Sequence, residues 1–409
     1  MRKVSLWRRL GTRVQVLIVC LLVLTLAASL TAMIQTEVRG TGASSQIPFA
    51  LVPPTPTPDP TPWHVIDFPD WDDDLFTWEH FDPRPVSLLT GFHVEEEELT
   101  RRPIAIVINN PFAAHPHSGI GSADIVYEVL AEGPTTRLVA VFQSYIPEKI
   151  GPVRSARDYF VDFAFNHDAF FVHHGGSPTG YERIRRLLGP RNSIDGMRFE
   201  RIVFWRDRSF PYWTGYTGQR AMEHSSYTGR YELLEHFYES DIRTYLSGDI
   251  NDMLEYGFIF GTVPVGPEPA HSDVSRVVVP FAATAYTVFD LNHYTGLFDV
   301  SHARGAWIDE LTRLQLSVAN VLIQHTVIRA ADGYGRRNVT TVGSGTGYLV
   351  RNGFVFNVTW HKSSHTSPMQ WFFEDGTPLV LAPGRTWINV LQTSAIPTFY
   401  DGLGEQYGT

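Results

Sequence analysis

Residues 14–34 form a predominantly apolar run in which Gln15 is the one strongly polar side chain. Its length matches the roughly 20 residues that a helix needs to cross a ~30 Å hydrocarbon core. Arg2, Lys3, Arg8, Arg9 and Arg13 precede it, and only Arg39 comes soon after it. That asymmetry holds the N-terminus in the cytoplasm and exports the rest of the chain. A buried core helix fits neither the length nor the basic flank. The run exceeds the ~7–15 apolar residues of a signal peptide, and Ala27-Ala28-Ser29 is succeeded by more apolar chain. An uncleaved anchor is therefore preferred to a cleaved signal helix. Cys20 comes directly after Ile18-Val19 and lies too early for lipid attachment.

The rest of the composition fits an exported body. Removing the five leading cations leaves 28 basic against 43 acidic residues, a net charge of −15. Such a balance excludes a nucleic-acid surface, which needs clustered cations. A single Cys excludes a disulfide scaffold and Cys-rich metal motifs. Pro53 to Pro62 alternates Pro with Thr and Asp and favours a stiff polyproline II spacer. Eleven acids face only Arg84 between Trp63 and Glu98. Runs of this kind are solvated, and they lack the spacing of a calcium loop.

Beyond Arg101 the pattern becomes globular. Ile104–Ile108 reads as a buried strand, and Asp124–Leu130 with Arg137–Phe142 as a hairpin. Arg154–Phe165 has helical spacing, Ala169–Val172 is a second buried strand, and Tyr181–Leu188 and Tyr231–Phe237 are helices. After Gly261 most of the chain is strand and turn, with hairpin turns at Asp332-Gly333, Asn352-Gly353 and Asp375-Gly376. The expected fold class is an α/β or α+β N-terminal domain plus a mainly β C-terminal domain, preceded by a transmembrane helix and a Pro-rich linker. In residues, this gives a cytoplasmic basic segment (1–13), the anchor or signal helix (14–34), a Pro/Thr and acidic linker (35–100), an α/β domain (101–262) and a β-rich domain (268–395).

Several stretches resemble the YerB-like lipoproteins, bacterial envelope proteins with a two-part domain of unknown function. They are Leu89-Thr90-Gly91, Arg102-Pro103-Ile104-Ala105, Ala123 to Glu128, Gly151 to Arg157 and Gly175-Gly176-Ser177-Pro178. Asn320 to Gln324, Thr359-Trp360 and Pro383 to Ile388 extend the likeness, which covers roughly 88–392. It implies a cell-envelope protein in two parts and carries no activity with it. The sequence departs from the family pattern at Asn109, where Asp is expected, at His115 and His117, and at Tyr212, where His is expected. The lipidated Cys is replaced by the apolar span.

Local chemistry nominates the candidate functional residues. Arg154 and Arg157, three apart near an expected helix start, share a face at its positive end and invite an anion. Asn110, Arg137 and His173 are expected nearby, giving a ligand-binding group of Asn110, Arg137, Arg154, Arg157 and His173. The bland reading pairs the arginines internally with Asp158, Asp162, Glu128 or Glu132. A rival class uses His173 with Glu128 or Glu132 as an acid/base pair. His173 and His174 point to opposite faces if the strand continues through them. His115, His117 and His173 supply no diagnostic zinc spacing, and Ser177 lacks a nucleophile elbow. No metal or cofactor is expected. Trp360, Trp371, Phe372, Phe373 and Trp387 read as core rather than as sugar-stacking rings. The partners expected are a lipid bilayer through 14–34 and an anionic cell-wall ligand or envelope protein. A purely structural interaction module is the third class.

Overall fold

A computed structural model describes residues 84–248, 253–261 and 266–407. The expected anchor, the Pro-rich spacer and most of the acidic linker lie outside the described residues. Among the described residues no helix is long and apolar enough to cross a membrane.

The first segment supplies β1 (Ile104–Asn109), β2 (Ile125–Glu132), β3 (Thr135–Phe142), β4 (Phe170–His173) and β5 (Ser193–Asp195). Helices α1 (Asp158–Phe165), α2 (Pro178–Arg183) and α3 (Arg230–Glu239) punctuate it. The second segment opens with β6 (Val274–Ala282), β7 (Ala285–Asn292), β8 (Leu297–His302) and β9 (Gly305–Ala306). It continues with β10 (Asn320–Thr326), β11 (Gly343–Arg351), β12 (Phe354–Lys362), β13 (Gln370–Phe373) and β14 (Thr386–Gln392), then β15 (Thr398–Asp401) and β16 (Gln406–Tyr407). The first segment is thus mixed α and β, and the second is mainly β.

Strands from both segments share one 10-stranded sheet, in the order β13-β12-β11-β10-β14-β2-β3-β1-β4-β5. The joining strand is β14, which runs parallel to β10 on one side and to β2 on the other. A smaller sheet, β9-β8-β7-β6-β15-β16, covers one face of this large sheet. The central strands β14, β2, β3, β1 and β4 are buried on both faces, which explains why β1 reads as one continuous apolar run. Ile106, Val126, Leu138, Ala140 and Val172 face the small sheet and pack with Val277, Phe289 and Val300. Val107, Tyr127, Val129, Val139 and Phe171 face the other way, onto Tyr159, Phe160 and Phe163 of α1. Neighbouring strand residues alternate between these layers.

The expected hairpins form. Asn352 and Gly353, both at positive φ, make the two-residue turn between paired Arg351 and Phe354. One expected helix is shorter than its pattern suggests. Arg154 to Ala156 are extended, because their backbone donors are taken by Val107 O and Gly175 O and α1 begins only after Arg157. Arg154 and Arg157 therefore do not share a helical face.

Close backbone approach fixes Gly347 on β11, where an added Cβ would lie 1.9 Å from Ile323 O of β10. Gly347→Ala is expected to lower unfolding free energy by about 1–3 kcal/mol, the scale of core overpacking. Urea titration reads this as a lower midpoint at unchanged slope.

Candidate functional site

Alternation on β2 and β3 sets what each polar side chain can reach. Glu128 lies on the small-sheet side with Val126 and Leu130, whereas Arg137 lies on the α1 side with Val139. A register shift between Leu130 and Glu132 interrupts the alternation. Such a bulge re-aims the next side chain, and Glu132 turns to the α1 side. There it pairs with both Arg137, at 3.3 Å, and Arg157. Both guanidinium groups are buried; one Arg137 donor reaches Ser155 O and one Arg157 donor reaches Ala156 O, while Arg157 Nε has no hydrogen-bond partner among the described residues. Burial, then the neighbouring Arg157 charge, holds Arg137 down to about 9. Arg154 is half-buried, senses Glu132 and Glu223, and makes no direct ion pair among the described residues.

His173 ends β4 on the α1 side, stacked on Phe171 at 5.4 Å and edge-on to Tyr181 at 6.0 Å. It is 2% exposed, its Nδ1 donates to Gly175 O at 2.8 Å, and burial lowers its pKa. The carboxylate beside that nitrogen is Asp195, 3.8 Å away. Glu128 is on the opposite face of the sheet, and Glu132 is occupied by arginines. The geometry therefore does not form the expected pair of His173 with Glu128 or Glu132. His174 points the other way, as alternation requires, toward Phe204 and Ser226. The Arg206 guanidinium donates to His174 Nε2, so the neutral ring carries its proton on Nδ1 and gives it to Ser226. That tautomer cannot activate Ser226 as a nucleophile. Ser177 caps α2 by accepting from Gly180 N at 3.0 Å.

Of the expected group, Arg137 and Arg157 meet on one face through Glu132, with Arg154 beside them. Asn110 stands apart, on the rim of a cavity between the two sheets. That cavity has a volume of about 210 Å³ and is lined by Asn110, Phe112, His115, Glu128, Thr136, Tyr286, Thr287, His302, Arg304 and Trp307. Glu128 is its polar centre. Its Oε1 accepts from Thr136 Oγ1 at 2.9 Å and from Asn110 Nδ2 at 3.3 Å. Its Oε2 accepts from Thr287 Oγ1 at 2.8 Å and from Trp387 Nε1 at 3.2 Å. These donors are all neutral, and burial pushes the carboxyl up to about 7. Asn110 Oδ1 in turn accepts from His115 Nε2 at 3.1 Å.

Rings form the wall. His115 lies 4.7 Å from His302 and 5.1 Å from Trp307, and Phe112 meets Tyr216 edge-on at 6.2 Å. His117 sits behind them. Its Nδ1 accepts from Trp307 Nε1 at 3.1 Å and its Nε2 donates to Asn109 O at 2.8 Å, which fixes one neutral tautomer. Burial lowers its pKa to about 3. Among the described residues no group of three or more His, Cys, Asp or Glu is arranged to hold a metal ion. Trp360, Trp371, Phe373 and Trp387 are buried core residues. Sequence reasoning misses the cavity itself. Its one legible signal is a carboxylate, Glu128, inside the apolar run Ile125 to Ala131.

This arrangement belongs to a two-part fold whose halves share a sheet, and both halves match family models. Residues 89–243 match the N-terminal domain, and 277–388 the C-terminal domain, of the family described as protein of unknown function (DUF3048). The chain belongs to this YerB-like family. It is 31% identical over 309 residues to the Bacillus subtilis (strain 168) protein named "Putative lipoprotein YerB", covering 74% of this chain and 85% of that one. The crystal structure of YerB protein from Bacillus subtilis superposes with a TM-score of 0.63 at 29% identity, over 75% of this chain and 97% of that chain.

The charges lead to two measurable outcomes. Glu128 has a folded pKa of about 7 against an ordinary 4.5, so the native state holds its proton longer than the unfolded chain. Stability from this group is highest below pH 4.5 and falls as pH rises toward 7. Wild type is expected to lose up to about 3 kcal/mol relative to Glu128→Gln across that window. Paired denaturant titrations from pH 4.5 to pH 8 measure it, and a constant offset between the two proteins would refute it. Glu132→Gln leaves two buried guanidinium groups facing an amide, and a loss of about 1–3 kcal/mol is expected in the same assay.

Proposed function

We propose that this protein is held at the outer face of the cytoplasmic membrane by residues 14–34, and that its cavity between the two sheets binds a small polar molecule. The family relationship to a protein named as a lipoprotein supports the envelope location, and the basic flank supports the orientation. The observation that carries the binding reading is Glu128, a carboxylate lining a cavity with neutral donors around it and no cation against it. The cavity, at about 210 Å³, is smaller than the ~300–1,000 Å³ sites of drug-sized ligands. It suits one sugar ring or one amino acid.

In this reading the arginine group has a structural role, because Glu132 already supplies the anion that Arg137 and Arg157 need. Acid/base catalysis is not favoured. The His115 imidazole on the cavity wall reaches Glu128 only through Asn110.

Trp307 and Trp387 give the test a local signal, since one indole lines the cavity and the other donates to Glu128. A set of sugars, amino acids and small amines is expected to contain compounds that shift both indole N–H resonances. Ala285→Trp, which fills the cavity from β7, is expected to abolish those shifts. Resonances that never move, or that move equally in the filled variant, would overturn the binding reading. Protease accessibility of the body on intact cells checks the topology.

A further inference from the structure

The cavity carries a carboxyl group and a guanidinium that do not meet. Glu128 is held by neutral donors alone, and Arg304 stands on the same cavity at the β8–β9 turn. Arg304 has no ion pair among the described residues. Its guanidinium lies over the Phe112 ring, 4.1 Å from the centroid, and its backbone N–H donates to His302 Nδ1 at 3.0 Å. That bond and Gly305, at φ +121°, fix the turn that presents it. The other titratable side chains on the cavity are His115, His302 and Tyr286, and burial holds both imidazoles below their ordinary range. They stay neutral and do not compensate Glu128.

Resting on the binding reading above, we infer that the ligand is a compact zwitterion, with its amino group toward Glu128 and its carboxylate toward Arg304. An ammonium replaces the missing cation at the buried end, where screening is weak and charge-assisted hydrogen bonds are strong. Arg304 is solvent-exposed, so it contributes less to affinity than Glu128 and more to choosing between ligands. A neutral sugar would offer neither an ammonium to Glu128 nor a carboxylate to Arg304.

Calorimetry on the full-length protein with β-alanine, 4-aminobutyrate and 6-aminohexanoate tests this, each beside the amine and the carboxylic acid of matched length. One length is expected to bind at least tenfold more tightly than both of its singly charged analogues. Glu128→Gln is expected to reduce that ligand to the affinity of the acid, and Arg304→Ala to that of the amine. Arg304 is on the surface, so its variant folds normally and decides the question even if Glu128→Gln does not fold. Zwitterions that bind no better than their analogues in the wild type would overturn the inference. If a neutral sugar binds instead, with the indole shifts of Trp307 and Trp387, the cavity stands as a binding site and only the zwitterion fails. If no small molecule moves those indoles, both readings fall together.

Discussion

Everything in this fold hangs on the pairing of β14. Its residues Thr386 to Val390 bond in parallel to β2 on one edge, and Thr386 to Gln392 bond to β10 on the other. Without it, the first segment would end in an unpaired strand with both faces apolar, which is a poor surface to leave in water. The same strand also delivers Trp387, whose ring is buried between the sheets and whose indole donates to Glu128. Backbone pairing and site assembly are therefore one event. The small sheet then closes over the junction, and Thr287 from β7 completes the shell of donors.

Much of this architecture is legible in the sequence. Continuous apolar runs mark β1 and β3 (Ile104–Ile108 and Leu138–Phe142), shorter ones mark several other large-sheet strands, and Gly-containing pairs mark the hairpins, because turn geometry and side-chain period are local properties. Opposite orientations for His173 and His174 come from the pleat alone. The hidden part is non-local. The bulge at Leu130–Glu132 has no mark in the sequence, yet it decides that Glu132 meets Arg137 and Arg157 instead of Glu128's cavity. Helical spacing misplaces the start of α1 for a related reason. Arg154 and Ala156 favour helix by propensity, and the hydrogen-bond partners that hold them extended, Val107 and Gly175, lie elsewhere in the chain. Asn110 stands out from the sequence as a candidate, but for a group it does not join.

The two polar clusters show how the same residue types serve different ends. On the α1 side, one carboxylate answers two buried guanidinium groups, and each guanidinium also donates to a backbone oxygen, so the cluster supplies its own counterion. On the small-sheet side, a carboxylate has hydrogen bonds but no opposite charge, and open space lies in front of it. Burying a charge without a counterion is costly. A protein that keeps such a group beside a cavity retains a destabilising element where a ligand can relieve it.

The distance along the chain between Val126 and its partner Trp387 also governs how the molecule can be made. Contacts this remote fold slowly, since the intervening chain must be ordered before they reward it. During synthesis, the edge of β2 stays bare until Thr386 to Val390 have emerged. Half-made chains thus expose a sticky strand for their entire growth, and a holding factor that shields it matters more here than for a protein whose halves mature one after the other.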